Sequence, residues 1–310
     1  MKILVTGGAG FIGSHVADAL LKSGHSVHII DDLSGGNKDN LPSEAIFHEM
    51  DIRDEAVEDL WQNEQFDVLY HLAAQMDVRK SVADPKFDAD INVLGFLNLM
   101  EAGRKNGLKK VIFSSTGGAI YGEPEYAPQD EKHPLKPLSP YGITKRVSEL
   151  YLFFYETTHN IDWVSLRYGN VYGPRQSPHG EAGVIAIFSE RMLRNKQAFI
   201  NGDGRQTRDY VYVKDVVQAN MKALKHPEND IFNVGTGTET DVVTLFEEIQ
   251  ELTGTSIAKK HADAKPGEQQ RSVLDTTKIE EVLGWNQNYS IREGLRETVN
   301  WFDERYKVSQ

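Results

Sequence analysis

The 310-residue chain contains no cysteine, which excludes disulfides and thiolate-held zinc. Its ten histidines include no His-x-x-x-His pair or comparable ligand spacing, so no metal site is expected. Cationic residues are the minority, 34 against 46 acidic ones, and they are scattered along a chain of net charge −12. That balance argues against a nucleic-acid or membrane partner. No apolar run approaches the roughly 20 residues of a membrane-spanning helix. A buried strand beginning at residue 2 leaves no room for a secretory leader, so a soluble, cytoplasmic protein is expected. Repeats and low-complexity segments are also missing. The length suffices for a large core and predicts two domains.

What the chain does have begins at once. Ile3, Leu4 and Val5 form an apolar run without polar alternation, the pattern of a strand buried on both faces of a parallel sheet. Gly7, Gly8, Gly10 and Gly13 follow, then a helical pattern through Phe11, Ile12, Val16, Ala19 and Leu20 to Gly24. Strand, glycine turn and helix in this order let the backbone approach a pyrophosphate, whose charge the N–H groups of the helix N-terminus receive. Ser26–Ile30 reads as the next strand and ends in Asp31 and Asp32. A carboxylate there accepts from a ribose 2′-OH and repels a 2′-phosphate, which predicts NAD rather than NADP.

Further strands are predicted at 46–50, 67–74, 111–116 and 163–167, alternating with helices around 56–61, 92–107 and 141–159. Alternation of this kind predicts an α/β fold with a Rossmann-type, doubly wound parallel sheet. The loop 34–42 is polar and turn-rich, and five prolines mark the connection 123–140. Beyond residue 173 the alternation becomes irregular. Helices at 183–194 and 215–225, strands at 209–213 and 231–234, and a helix capped by Asp275 and Gly284 predict a smaller mixed α/β lobe over the sheet's carboxyl edge. Asp51, just past the third strand, is placed either to meet an adenine or to cap the helix that follows. The helix 141–159 is apolar almost all round and must bury two faces, one against the sheet and one against a second subunit.

Tyr141-Gly-Ile-Thr-Lys145 puts a phenol and an ammonium on one helix face. Free tyrosine ionises near pH 10, so a base at neutral pH needs a neighbouring cation; Lys145 supplies one and an oxidised nicotinamide another. Tyr210 and Lys214 repeat the spacing, but in a segment read as extended, where residues four apart cannot couple. Tyr141 instead opens a helix after the Ser114-Ser-Thr116 strand end.

With these pieces in place, the chain resembles the extended short-chain dehydrogenase/reductases, and among them the UDP-hexose 4-epimerases. The resemblance rests on Gly7-Gly-Ala-Gly-Phe-Ile-Gly13, Asp51-Ile52, His71-Leu-Ala-Ala74, Ser114-Ser-Thr116, Tyr141-x-x-x-Lys145 and Arg208-Asp-Tyr-Val211, in family order over nearly the whole length. It implies an isomerase with Thr116, Tyr141 and Lys145 as its catalytic residues. Tyr141, held by Thr116, takes the proton of the sugar 4-OH while C4 gives hydride to NAD; the 4-keto sugar turns over and hydride returns to its other face. Implied cofactor positions are Gly7, Gly10, Phe11, Ile12, Gly13, Asp31, Asp32, Asp51, Ile52, Leu72, Ala73, Ala74, Asn92, Ser114, Tyr141, Lys145 and Tyr168. The UDP-sugar is implied to meet Thr116, Tyr141, Asn170, Gly183, Val184, Arg208, Arg271 and Ser272, the arginines suiting a diphosphate. Taken singly, either arginine also reads as a surface ion pair.

The segment 267–275 is implied to line the sugar pocket, and Ser272, where a bulky Tyr restricts relatives to plain hexoses, leaves room for an N-acetyl group. Ser272 also reads simply as a small strand residue. Met76 replaces a Lys that some epimerases use on the diphosphates. The implied domains are residues 1–172 with 212–236 for NAD and 173–211 with 237–310 for the nucleotide sugar, and the implied assembly is a homodimer through the 92–100 and 145–155 helices. Related dehydratases and decarboxylases carry an acid shortly after the Thr; here Gly117, Gly118 and Ala119 follow. A uronate 4-epimerase or a non-catalytic NAD sensor are the other readings.

Overall fold

The computed structural model describes residues 1–179, 183–264 and 269–308. In chain order the strands are β1 (Lys2–Thr6), β2 (Ser26–Asp31), β3 (Ile46–Glu49), β4 (Val68–His71), β5 (Lys110–Thr116), β6 (Asp162–Tyr168), β7 (Asn170–Tyr172), β8 (Phe199–Asn201), β9 (Thr207–Tyr212), β10 (Asp230–Val234), β11 (Glu239–Asp241) and β12 (Lys260–Ala262). The helices are α1 (Phe11–Lys22), α2 (Ala56–Glu64), α3 (Val78–Ala83), α4 (Pro85–Ala89), α5 (Phe96–Lys105), α6 (Gly117–Ile120), α7 (Pro140–His159), α8 (Val184–Leu193), α9 (Val213–Lys225), α10 (Val242–Thr253), α11 (Thr277–Leu283) and α12 (Ile291–Val308). A π-helical turn, Asp90–Gly95, precedes α5.

The main sheet has the order β10-β6-β5-β4-β1-β2-β3, the doubly wound topology expected. β1 pairs in parallel with both β2 and β4, so the chain direction across the sheet reverses beside it. This switch point is where open α/β sheets bind ligands, at the strands' carboxyl ends. Ile3, Leu4 and Val5 are wholly buried, as a central strand covered on both faces requires. One face holds a continuous core of Leu4, Leu69, Phe96, Leu99, Val111 and Leu152, with Trp61 edge-on to Phe66 at 5.1 Å.

Helix ends follow local chemistry. Ser139 caps α7 by accepting from Gly142 N at 3.2 Å, Pro140 occupies the first turn, and Asn160 ends the helix at φ +55°. Two expected caps are corrected. Asp51 does not cap α2, whose N-cap is Glu55; Asp51 Oδ1 accepts from Arg53 N instead. Thr276, not Asp275, precedes α11, because Asp275 accepts from Thr277 N in a local turn; Gly284 closes that helix at φ +59° as expected. The fourth strand ends at His71, so Leu72–Ala74 lie in the loop beyond it.

The chain divides into two compact units. The first comprises 1–120, 137–167 and 217–232, the second 121–136, 168–216 and 233–310. In the second, β9 lies between antiparallel β11 and parallel β7, while β8 pairs with β12. There α8, α10 and α12 pack together, with Phe188 edge-on to Phe246 at 5.5 Å. Among the described residues no helix is long and apolar enough to cross a membrane.

Candidate active site

The glycine turn is shaped by close backbone approach. Gly7 sits at φ +71°, and a Cβ there would lie 2.7 Å from Ala73 N; one on Gly13 would lie 2.2 Å from Gly7 O. α1 begins with Gly10 as its N-cap, no capping side chain and no acid in the first turn. The amides of Phe11, Ile12 and Gly13 therefore have no intrahelical acceptor and are available to an anion.

The two candidate ribose acids are not equivalent. Asp31 is buried, with Oδ2 accepting from Ala9 N (3.0 Å) and Oδ1 from Leu33 N (2.9 Å). Burial pushes its carboxyl up, and these two N–H groups oppose the shift. Asp32 is exposed and accepts from Ser34. The carboxylate tied to the glycine turn is thus Asp31. Asn40, which the sequence reading overlooked, also fastens the turn by donating to Ala9 O at 3.1 Å.

Asp51 forms a fork with Arg53, which also reaches Asp90 at 2.5 Å, and the guanidinium holds the Asp51 carboxyl below the usual range. Ile52 is buried beneath Gly95, whose added Cβ would lie 2.7 Å from Ile52 Cδ1. Past β4, Ala73 N donates to Thr6 Oγ1 (3.2 Å), which is 2.8 Å from His71 Nδ1. His71 stacks on Phe96 and Phe113, and burial pushes it down to about 3, so it is a neutral part of the scaffold. Met76 is exposed.

Tyr141 and Lys145 stand one turn apart on α7, beside the end of β5. Lys145 is 3 % exposed and donates from Nζ to Ser114 O at 2.7 Å. The ammonium lies 4.9 Å from the Phe113 ring centre and 5.9 Å from that of Tyr141. Burial pushes Lys145 down to about 8, against the pull of Asp88 and Glu149. Burial and then Asp88 push the Tyr141 phenol up to about 12, while a hydrogen bond with Thr116 works the other way. Burial is the larger influence on this phenol, and an oxidised nicotinamide would bring a further cation beside the Lys145 ammonium.

Beneath the pair lie residues the sequence reading missed. Glu149, one turn beyond Lys145, accepts from Arg167 Nη2 (2.7 Å), Ser115 (2.8 Å) and Ser165 (3.1 Å), all buried. Burial opposes its ionisation, yet Arg167 and the two hydroxyls hold it below the usual carboxylate range. Asn92 is locked by Gln75, whose backbone N donates to Asn92 Oδ1 at 2.9 Å.

In the second unit, Tyr168 is buried while Asn170, Gly183 and Val184 are partly accessible. Gly183 begins α8 without a capping side chain. Arg208 donates to Thr207 O at 2.8 Å. Arg271 makes a two-pronged pair with Glu239, both contacts 2.7 Å, and Thr207 donates to the same carboxylate. Ser272 is only 2 % exposed, between Arg271 and buried Val273. Gly267 and Glu268, which open the expected sugar-pocket segment, lie outside the described residues. The second Tyr-x-x-x-Lys does not couple as the first does: Lys214 is on α9, with Nζ on Glu297 at 2.6 Å. No cluster of three or more His, Asp or Glu among the described residues is placed to hold a metal ion.

A glycine-lined switch point, an acid ending the second strand and a Tyr/Lys pair facing a Ser-Ser-Thr strand end define a nicotinamide-dependent short-chain dehydrogenase/reductase. The family profile described as GDP-mannose 4,6 dehydratase matches residues 4–298. The UDP-glucose 4-epimerase of Mycolicibacterium smegmatis is 44 % identical over 97 % of this chain and 98 % of its own length. The structure of Thermotoga maritima UDP-glucose 4-epimerase with UDP-glucose superposes with a TM-score of 0.97 at 48 % identity, covering 99 % of this chain and 100 % of that one. The Thermus thermophilus UDP-glucose 4-epimerase complex with NAD gives 0.92 at 44 % identity, covering 97 % and 99 %. The chain belongs to the extended short-chain dehydrogenase/reductases, in the UDP-glucose 4-epimerase family.

Proposed function

We propose that this chain interconverts UDP-glucose and UDP-galactose at C4. The observation that carries the reading is the Tyr141/Lys145 pair on α7 against the end of β5, with Lys145 anchored on Ser114 O. The NAD positions we assign are the glycine turn with Phe11 and Ile12, Asp31, Asp32, Asp51, Ile52, Leu72–Ala74, Asn92, Ser114, Lys145 and Tyr168. The nucleotide sugar falls to Thr116, Tyr141, Asn170, Gly183, Val184, Arg208, Arg271 and Ser272.

Bound NAD supplies a reversible hydride acceptor and a cationic ring. Tyr141 takes the proton of the 4-hydroxyl and later returns it, with Thr116 fixing its Oη. Lys145 keeps its ammonium beside the phenol, so proton loss from Tyr141 leaves an anion next to a cation. α6, which follows Thr116, is Gly-Gly-Ala-Ile and carries no side chain able to move a proton, which disfavours dehydration. We assign NAD to the domain 1–172 with 212–236, and to 173–211 with 237–310 the role of the nucleotide-sugar lobe.

Ser272 in place of a bulky residue supports acceptance of N-acetylhexosamines too. A homodimer is supported by apolar side chains that α7 leaves in solvent, Ile143, Leu150, Phe153 and Phe154, together with Leu94. We place the enzyme in the cytoplasm, in keeping with a chain without cysteine. Separate incubations with UDP-glucose, UDP-N-acetylglucosamine and UDP-glucuronate, read by proton NMR at C4, test the reading. Conversion of the first two supports it, and inertness toward all three refutes it.

A further inference from the structure

Asp88, on α4, is wholly buried. Its Oδ1 accepts from Gln75 Nε2 (2.9 Å) and Asn92 Nδ2 (3.2 Å), and its Oδ2 from the Thr144 hydroxyl (2.9 Å). Both amides are held in one orientation by backbone partners: Gln75 Oε1 accepts from Asp77 N, and Asn92 Oδ1 from Gln75 N. Each therefore offers Asp88 only N–H, a set of donors suited to a carboxylate. No lysine or arginine among the described residues pairs with it. Aspartate is seldom wholly buried without an ion-pair partner, so its position asks for a use.

That position is specific. Thr144 lies in the turn of α7 between Tyr141 and Lys145 and also donates to Tyr141 O at 3.0 Å. Of the other charges near the cluster, Asp77 caps α3 by accepting from Lys80 N and Asp84 caps α4 by accepting from Phe87 N. Arg79 and Lys80 on α3 and Lys86 on α4 are exposed, and Asp90 in the π turn pairs with Arg53. On α7, Glu149 is paired with Arg167 of β6 and with half-buried Arg146; His71 of β4 is neutral. Among the described residues Asp88 is thus the one buried acid without an ion-pair partner that acts on both members of the pair, opposing ionisation of the phenol and favouring the ammonium.

We propose that Asp88 is a positioning residue for the Tyr141/Lys145 pair, a wholly buried carboxylate linked through Thr144 to their shared turn, whose charge acts on both. The inference rests on the proposed catalytic role of that pair.

Asp88→Asn isolates the charge. Its oxygen can take the Gln75 and Asn92 donors while its NH2 donates to Thr144 Oγ1, whose own proton goes to Tyr141 O. The first readout is 13Cε-lysine NMR of the cofactor-free protein, with the Lys145 signal assigned through Lys145→Met. The second is the pH–rate profile of the NAD-loaded enzyme with UDP-glucose. The Lys145 midpoint and both limbs of the profile should move about one pH unit lower, the scale of one nearby charge in a partly screened interior. On the acid limb the variant then turns over up to about tenfold faster, relative to its plateau, than wild type. A folded variant with an unmoved Lys145 midpoint overturns the inference, since a merely structural role changes rate or stability without moving that midpoint. Should Asp88→Asn not fold, Asp88→Ser carries the same expectation. Undiminished turnover in Tyr141→Phe would instead sink the catalytic assignment, and the NMR midpoint would still decide the role of Asp88 toward Lys145.

Discussion

Lys145→Met should stabilise the cofactor-free protein at neutral pH while abolishing turnover. Burial draws Lys145 from its ordinary 10.5 down to about 8, a gap worth about 3 kcal/mol, as an order of magnitude, against folding. Met fills a similar volume without a charge. Against that gain stands the lost hydrogen bond to Ser114 O, worth about 1 kcal/mol, so the net stabilisation at pH 7 is roughly 2 kcal/mol. The sign with pH follows from the lowered folded-state value. Below about pH 8 both states hold the proton and the cost to the wild type is full. Between there and 10.5 the folded protein releases it first, and the cost fades. Urea unfolding of NAD-stripped wild type and variant at pH 7, 8.5 and 9.5 reads the difference directly, and the advantage of Lys145→Met should shrink stepwise. A variant less stable than wild type at pH 7, with a difference that ignores pH, would show that the buried ammonium is not held at a cost.

Tyr141→Phe should keep the fold and NAD affinity while C4 turnover falls by about 10²-fold or more; circular dichroism and a coupled galactose assay check both halves. Asp31→Ala should weaken NAD binding and lower stability by about 1–3 kcal/mol, because the Ala9 and Leu33 amides lose their acceptor, whereas Asp32→Ala should leave the urea midpoint near wild type. Glu149→Ala strands Arg167 in the core and should cost about 3–5 kcal/mol, read as a fall in urea midpoint. Because Glu149 is held below the usual carboxylate range, the stability it contributes is present above that range and is lost as acid protonates it. Ser272→Tyr should suppress conversion of UDP-N-acetylglucosamine more than that of UDP-glucose, measured as the ratio of kcat/KM values; an unchanged ratio removes Ser272 from the sugar pocket.

The parallel sheet was legible because its signals are local and dense. Ile3–Val5, the glycine turn and Asp31 each declare a conformation within a few residues. α7 was legible from the prolines that precede it and a long apolar pattern, while its cap Ser139 went unread. What escaped was fixed by distant parts of the chain. Asp88 sits in an ordinary polar stretch, and nothing near it announces that Thr144, 56 residues on, will bury it. Glu149 looked like one polar residue on an apolar helix until Arg167 arrived from β6. The misassigned caps at Asp51 and Asp275 share one cause: an aspartate that accepts from the amide two residues on looks, in sequence, the same as one that starts a helix. The anchor of Lys145 was also out of sight in the sequence, since the Ser114 carbonyl that receives its Nζ lies 31 residues earlier.

The central claim is that C4 is oxidised and reduced within one site, with Tyr141 handling only the hydroxyl proton. Incubating the NAD-loaded enzyme with UDP-[4-2H]glucose and following the product by NMR tests it most directly. The expected product is UDP-galactose with deuterium retained at C4, formed about 10²-fold or more slowly by Tyr141→Phe. Exchange of that deuterium with solvent during turnover, or absence of UDP-galactose with the wild-type protein, would contradict it.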